Sequence, residues 1–373
     1  TLSVSQIETL TGSSGTDVIT NLDTAGGTLS ALLIETLIGN GTRDVALLTN
    51  TGNTVSLTGF EAVTGSSGTD VVRLASSTLA ATLIETLIGN GSAAVLLVST
   101  GNTVSASGLD ALVGGAGTDA VTLSGSNQTS LINFETITGG SGLDNITLGS
   151  GGNTLLVEAL ETLAGGAGTD IVTATTSGTM AIALLETLTG GSGTDVITDT
   201  GTAGLTLALQ GVETLLGGSG TDAVTLTSSS GNSMLVSQIE TLIGNSGVDS
   251  VTLGSSGNQM LVSQVETITG GAGTDVVTLE STFVTVGGIP VLQSSVAITG
   301  IETLIGGKGT DTATLGSGND TMTVSLMETI DAGAGTDHII LAASSTLTVT
   351  QLESLTGSTG HDAVTLGGTS GNT

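Results

Sequence analysis

The sequence predicts an all-β protein, a single parallel β-solenoid, and three observations predict it. A segment close to ETLTGGSGTDVIT (Glu186 to Thr198) recurs along all 373 residues. The apolar 38% is almost entirely Val, Ile, Leu and Ala, with three Phe and no Trp, Tyr or Cys. A core without bulky residues is thin, which suits repeats one layer deep. Finally, no apolar i, i+3, i+4, i+7 stripe is sustained, while Gly, Thr and β-branched residues dominate, so helix is the losing alternative.

The repeat is anchored on the acid of ETL: Glu8, Glu35, Glu61, Glu85, Asp110, Glu135, Glu161, Glu186, Glu213, Glu240, Glu266, Glu302, Glu328 and Glu353. The anchors are about 24 to 27 residues apart, a fixed period in the range that marks a solenoid. One step is longer, from Glu266 to Glu302. The expectation is about 14 coils of about 24–27 residues, right-handed as parallel crossovers are. At roughly 4.8 Å per coil that is a rod of about 65 Å.

Each unit opens on a corner. The residue before the anchor and the residue two after it are apolar (Ile7 and Leu10, Phe60 and Val63). Inward residues three apart imply a bend or bulge at Glu-Thr, because a flat strand alternates with period two. A Gly-rich turn follows, then a strand such as GTDAVTL, with Val121 and Leu123 facing in. A second turn is often Gly-Asn, as at Gly52-Asn53 and Gly257-Asn258, residues that tolerate left-handed backbone. A short strand such as MLVSQ returns to the next anchor.

Nine residues after each anchor stands a second acid, Asp in thirteen units of fourteen, with Ala94 the exception. The two columns hold 27 of the 33 acids, so the charge belongs to the repeat. Stacked in register, carboxylates about 4.8 Å apart repel by roughly 0.9 kcal/mol each in water. Two arrangements offset this: N–H bonds from the turn, as in an Asx-type ladder, or a cation between coils.

GGAGTDAVTL (Gly114 to Leu123), GGSGTDVIT (Gly190 to Thr198) and GGAGTDVVTL (Gly270 to Leu279) resemble the G-G-x-G-x-D-x-U-x nonapeptide of RTX calcium-binding β-roll proteins. The resemblance implies Ca²⁺ held by turn carbonyls with Asp17, Asp70, Asp119, Asp144, Asp170, Asp195, Asp222, Asp249, Asp275, Asp311, Asp337 and Asp362. Hard oxygen ligands suit calcium, and no Cys or His cluster competes. The Ala94 coil would carry none. Three departures stand out. One nonapeptide per coil implies turns on one side only, where the family has two. Arg43 adjoins Asp44, and Ser358 replaces the second Gly of its turn.

Three basic residues against 33 acidic, a formal net charge of −30, exclude a nucleic-acid groove and a polybasic membrane patch. No apolar run approaches a transmembrane length. Carboxylates that recur in every unit argue for architecture over one active site, so no enzymatic activity is expected. His338 and His361 are expected as drift at tolerant positions. Thr rows after the anchor and after the Asp raise ice or glycan binding as an alternative. An insertion around 281–297, with Phe283, Gly287-Gly288 and Pro290, is expected as a loop leaving the array.

The chain is expected as one continuous array over 1–373, uncapped at both ends. It starts in mid-coil at TLSVSQIETL and stops at SGNT, which suggests a slice of a longer array or a subunit stacking end to end. By resemblance, such repeats belong to extracellular S-layer and giant surface proteins of Gram-negative bacteria that leave by type I secretion. The expected function is structural: a Ca²⁺-stabilised S-layer or surface filament, with the shaft of an adhesin as the alternative.

Overall fold

The structure, a computed structural model, describes residues 1–40, 43–49, 52–75, 78–286 and 289–368, with 283–286 and 289–292 described in backbone only. It forms two compact units, Thr1–Thr176 and Ser177–Thr373. Both are parallel β-solenoid, and no helix occurs among the described residues.

The strands pair with their second neighbours in sequence. In the first unit Leu2–Val4 pairs with Val18–Asn21, which pairs with Thr36–Ile38, which pairs with Thr54–Thr58. The strands between them, Thr9–Thr11, Thr28–Leu32 and Val45–Leu48, form their own parallel ladder. The second unit repeats the scheme: Leu207 lies beside Val224, Val224 beside Leu242, and Leu242 beside Val262. A coil therefore holds two strands, and the chain from Val224 to Leu242 is one full turn.

This corrects the expected coil. A sequence unit, from one anchor to the next, carries three strands and spans one and a half coils. The chain accordingly makes about 21 turns where about 14 were expected. The physical reason is core thickness. Two strands facing each other close over one layer of Val, Leu and Ile, whereas a three-sided coil encloses a wider core that needs the aromatics this chain lacks. Consecutive Gly-rich turns consequently fall on alternate edges, and both edges carry them. The expected single column of turns and the expected stacking of Asp on Asp are both replaced.

The apolar positions do face inward. Phe60, Leu37, Leu87, Leu112, Ile137 and Leu163 are fully buried, each contributing about 1.5–3 kcal/mol. The expected bend at the anchor is present, as at Glu8, Glu35 and Glu61, and a second corner precedes it. At all fourteen units the residue two before the anchor has φ between +52° and +69°, among them Gln6, Leu33, Leu184, Leu326 and Gly211. This left-handed corner turns its carbonyl toward the neighbouring coil. A Cβ on Gly12 would stand 1.8 Å from Leu33 O, and one on Gly190 would stand 1.8 Å from Gly211 O. That close approach accounts for Gly at the start of these turns; in the unit of Glu328 the fully buried Ala332 takes the place.

Two units depart from the pattern. Around Ala94 the Gly-rich turn is absorbed into one strand, Thr86–Leu97, which pairs with Thr103–Val113 through register shifts at Ile88/Ala93 and Ala93/Ala94. The insertion is a β-hairpin in place of the expected loop: Thr282–Val286 runs antiparallel to Ile289–Thr299, whose far half rejoins the parallel ladder. The Gly287-Gly288 pair and the Phe283 side chain lie outside the described residues.

Candidate functional site

Along an edge, three kinds of residue follow one another coil by coil: Asn of one turn, Asp of the next, Glu of the third. Asn258, Asp275 and Glu302 show the geometry. Asn258 donates its backbone N–H and its Nδ2 to Asp275 Oδ1, at 2.9 and 2.8 Å. The Gly271 N–H, from the Asp's own turn, donates to Oδ2 at 2.8 Å. The Asp275 N–H in turn donates to Glu302 Oε2 at 2.8 Å. One carboxylate thus shapes its turn and ties it to the coil before. The next carboxylate ties it to the coil after.

The same bracket recurs. Asp44, Asp70, Asp119, Asp144, Asp195, Asp222, Asp249, Asp311 and Asp337 each donate their N–H to the Glu of the following unit at 2.6–2.9 Å. Asp17 does so to Glu35 at 2.8 Å. Every Asp from Asp44 to Asp337 in the column is buried. Repulsion between like charges is thereby displaced: on one side a column Asp meets a donor, an Asn amide for Asp44, Asp70, Asp119, Asp144, Asp170, Asp249 and Asp275 and a backbone N–H for Asp195 and Asp222, and on the other a Glu is drawn onto its backbone N–H.

The Asn residues were expected to serve the turn by left-handed backbone. In three of the Gly-Asn turns the positive φ falls to the glycine, Gly52, Gly101 and Gly231; the Asn contributes its side chain. Its Nδ2 stands among oxygens: for Asn258 these are Gly254 O at 3.2 Å, Ser256 O at 2.7 Å and Asp275 Oδ1 at 2.8 Å. Asn153 repeats this with Gly149 O, Gly151 O and Asp170 Oδ1. The signal was present in the sequence as a fixed step from Asn to the next Asp, the same for Asn102 to Asp119 as for Asn232 to Asp249.

The twelve Asp expected to hold calcium differ in what they present. Both oxygens of Asp70, Asp144, Asp170, Asp195, Asp222, Asp249 and Asp275 accept N–H bonds. Asp362 accepts the N–H groups of Ser345 and Ser358, and Asp311 accepts Gly307 N–H and the Ser281 hydroxyl. Asp17 accepts Ser13 N–H on one oxygen. Asp119 and Asp337 each keep a buried Oδ2 without a partner. Among the described residues no three His, Cys, Asp or Glu side chains are grouped to hold a metal. Calcium takes about six to eight oxygens, and an oxygen surrounded by N–H donors presents positive charge to it. Carboxylate oxygens without N–H partners, with carbonyls beside them, fit the ion better.

Outside the column two carboxyls share that property. Asp199 and Asp320 each have a buried Oδ2 without a partner. Burial pushes both carboxyls above the usual carboxylate range, and the neighbouring charge, Asp222 for Asp199 and Asp337 for Asp320, adds to it. Asp23 goes the other way. The Ser5 hydroxyl at 2.6 Å and the Gln6 N–H at 2.9 Å hold it below its ordinary value. His338 is engaged with Thr356 Oγ1 at 2.8 Å.

Compared with known proteins, residues 135–155 and 297–325 match the family model described as RTX calcium-binding nonapeptide repeat (4 copies). The chain therefore carries RTX-like calcium-binding repeats, and Ca²⁺ is the ligand they imply. No curated protein and no solved structure matches it.

Proposed function

We propose that this RTX-like repeat chain is a non-enzymatic structural element of a bacterial cell exterior, a calcium-stabilised solenoid of an S-layer or surface filament. One observation carries the reading: the Asp–Glu bracket recurs from Asp17 to Asp337, joined at many junctions by an Asn amide, so the recurring chemistry of the repeat holds coils together. An active site would single out one coil, and the buried carboxylates here serve their neighbours' backbones. The calcium that such repeats bind is plentiful outside cells, which suits an array that becomes rigid after export. Self-association of like solenoids, side by side or end to end, belongs to this reading.

The adhesin-shaft alternative uses the same physics with a binding domain elsewhere. Ice binding is disfavoured by the register. The Thr rows it needs are interrupted, because Thr20 lies beside Ile38 and Ile38 beside Thr58. The test is electron microscopy of the purified chain in EDTA and in millimolar Ca²⁺. Filaments or ordered sheets that form only with calcium support the structural reading. A chain that stays monomeric in both, yet binds a polysaccharide, would replace it with a binding module.

A further inference from the structure

At most junctions an Asn amide nitrogen fills the space among oxygens from two coils. Two junctions of the second unit have a carboxylate there instead. Asp320 precedes Asp337 by the same step as Asn258 precedes Asp275, and its N–H donates to Asp337 Oδ1 at 2.8 Å as Asn258 N–H does to Asp275. Asp320 has no Nδ2 to offer, and its own Oδ2 is without a partner; so is Oδ2 of the fully buried Asp337, the oxygen that in Asp275 takes the N–H of its own turn.

Asp199 repeats the exchange at another position. Asn21, which closes the strand Val18–Asn21, donates Nδ2 to Asp44 Oδ1 at 2.9 Å. Asp199 holds the same place relative to Asp222, at the end of the strand Ser192–Asp199. It is 4% exposed, and its Oδ2 has no partner. Three oxygens converge there. Asp199 Oδ2, Gly201 O and Asp199 O lie 2.8, 2.9 and 3.2 Å from the point that a Cβ on Gly218 would occupy. Gly218 leaves that point open. A surface cavity lined by Glu186, Asp199, Gly201 and Gly204 gives access from solvent.

We propose that calcium takes the place of the Asn amide nitrogen at these two junctions, bound by Asp199 with the carbonyls of Asp199 and Gly201, and by Asp320 with Asp337. The proposal rests on the calcium-stabilised reading above and adds to it where the ions sit: at Asp-for-Asn exchanges, in place of one ion per Gly-rich turn. Both requirements of a hard-cation site are met, all-oxygen donors and carboxylate oxygens, Oδ2 of Asp199, Asp320 and Asp337, that no hydrogen bond occupies. At the Asn junctions the amide does the ion's work, donating N–H bonds where a cation would accept lone pairs.

The test uses the full chain, stripped with EDTA, dialysed into millimolar Ca²⁺ and assayed for bound metal by mass spectrometry. Asp199→Asn and Asp320→Asn supply the amide that other junctions use, so the β-signal in EDTA is expected to persist. Each is expected to remove about one ion per chain, and the double variant about two. Asn258→Asp, which sets a carboxylate against Asp275, is expected to add about one, so the idea can fail even if the first two variants misfold. Unchanged counts in all three variants, with calcium still bound to the parent chain, would overturn the siting and leave the calcium reading intact. A parent chain that binds no calcium would overturn both.

Discussion

Asp275 and Glu302 are 27 residues apart in the chain and one coil apart in space: the Asp275 N–H donates to Glu302 Oε2 at 2.8 Å. The preceding bracket, Asp249 to Glu266, has the same length over 17 residues. The ten extra residues are taken up in the antiparallel part of the hairpin, Thr282–Val286 against Ile289–Gln293, and leave the junction undisturbed. The bracket, and not the spacing in sequence, is what the fold preserves.

Removing the acceptor therefore has a defined cost. Glu302→Ala leaves the Asp275 N–H without its carboxylate partner, a hydrogen bond to a charged group worth about 1.5–3 kcal/mol. Urea unfolding in EDTA is expected to show that loss, with faster hydrogen exchange at the Asp275 amide. Glu302→Gln, which keeps an acceptor oxygen, is expected to lose less.

The two exceptions in the acid columns meet at one junction. Ala94 is the one residue in the second column that is not Asp, and Asp110, sixteen residues on, is the one anchor that is not Glu. The neighbouring bracket, Asp119 to Glu135, spans the same sixteen residues. Ala94→Asp with Asp110→Glu is expected to rebuild it, with a favourable coupling of about 1–2 kcal/mol in a double-mutant cycle. Strictly additive effects would mean that the turn there has lost the shape the bracket needs.

Left-handed corners at non-glycine residues are a reservoir of strain. Leu184 and Leu326 hold φ of 55° and 57°, and both side chains are 57% exposed. Replacing either by Gly relieves a conformational cost of roughly 1–2 kcal/mol, less the entropy of a freer unfolded chain. A net gain of about 0.5–1 kcal/mol per site is expected in thermal unfolding.

Asp23 gives the pH response a sign. Its carboxyl is held below the ordinary value by Ser5 and Gln6, so the folded state binds fewer protons than the unfolded one. Its contribution is present above the unfolded carboxyl's pKa and is lost as pH falls through the folded one. Hydrogen exchange at the Gln6 amide is expected to show protection near neutrality that fades in acid, and Asp23→Asn is expected to abolish that dependence.

Much of the architecture was legible in the sequence because it is periodic: the strands, the inward positions and the two acid columns follow from fixed steps. The coil length was not. The anchor-to-anchor period fits one three-strand coil or one and a half two-strand coils, and only the pairing of Val18–Asn21 with Thr36–Ile38 separates them. The left-handed corner escaped because Gln6, Leu33, Asn133 and Ala159 share no side-chain chemistry; what they share is backbone geometry. Asn258 and its equivalents were visible as turn residues, while their role as amide donors needed the neighbouring coil. Asp199 and Asp320 lie outside both columns, and they stand out only against the Asn that other junctions carry.

The central claim is that calcium holds this solenoid together, and a thermal melt by circular dichroism tests it most directly, run in excess EDTA and across a series of Ca²⁺ concentrations. An ion that binds only the folded chain stabilises it by about 2.7 kcal/mol at one hundred times its Kd. With calcium holding the coils, the melting temperature climbs with calcium and falls back on chelation. The same melting temperature in EDTA and in millimolar calcium would contradict it, leaving the Asn–Asp–Glu brackets to hold the coils without a metal.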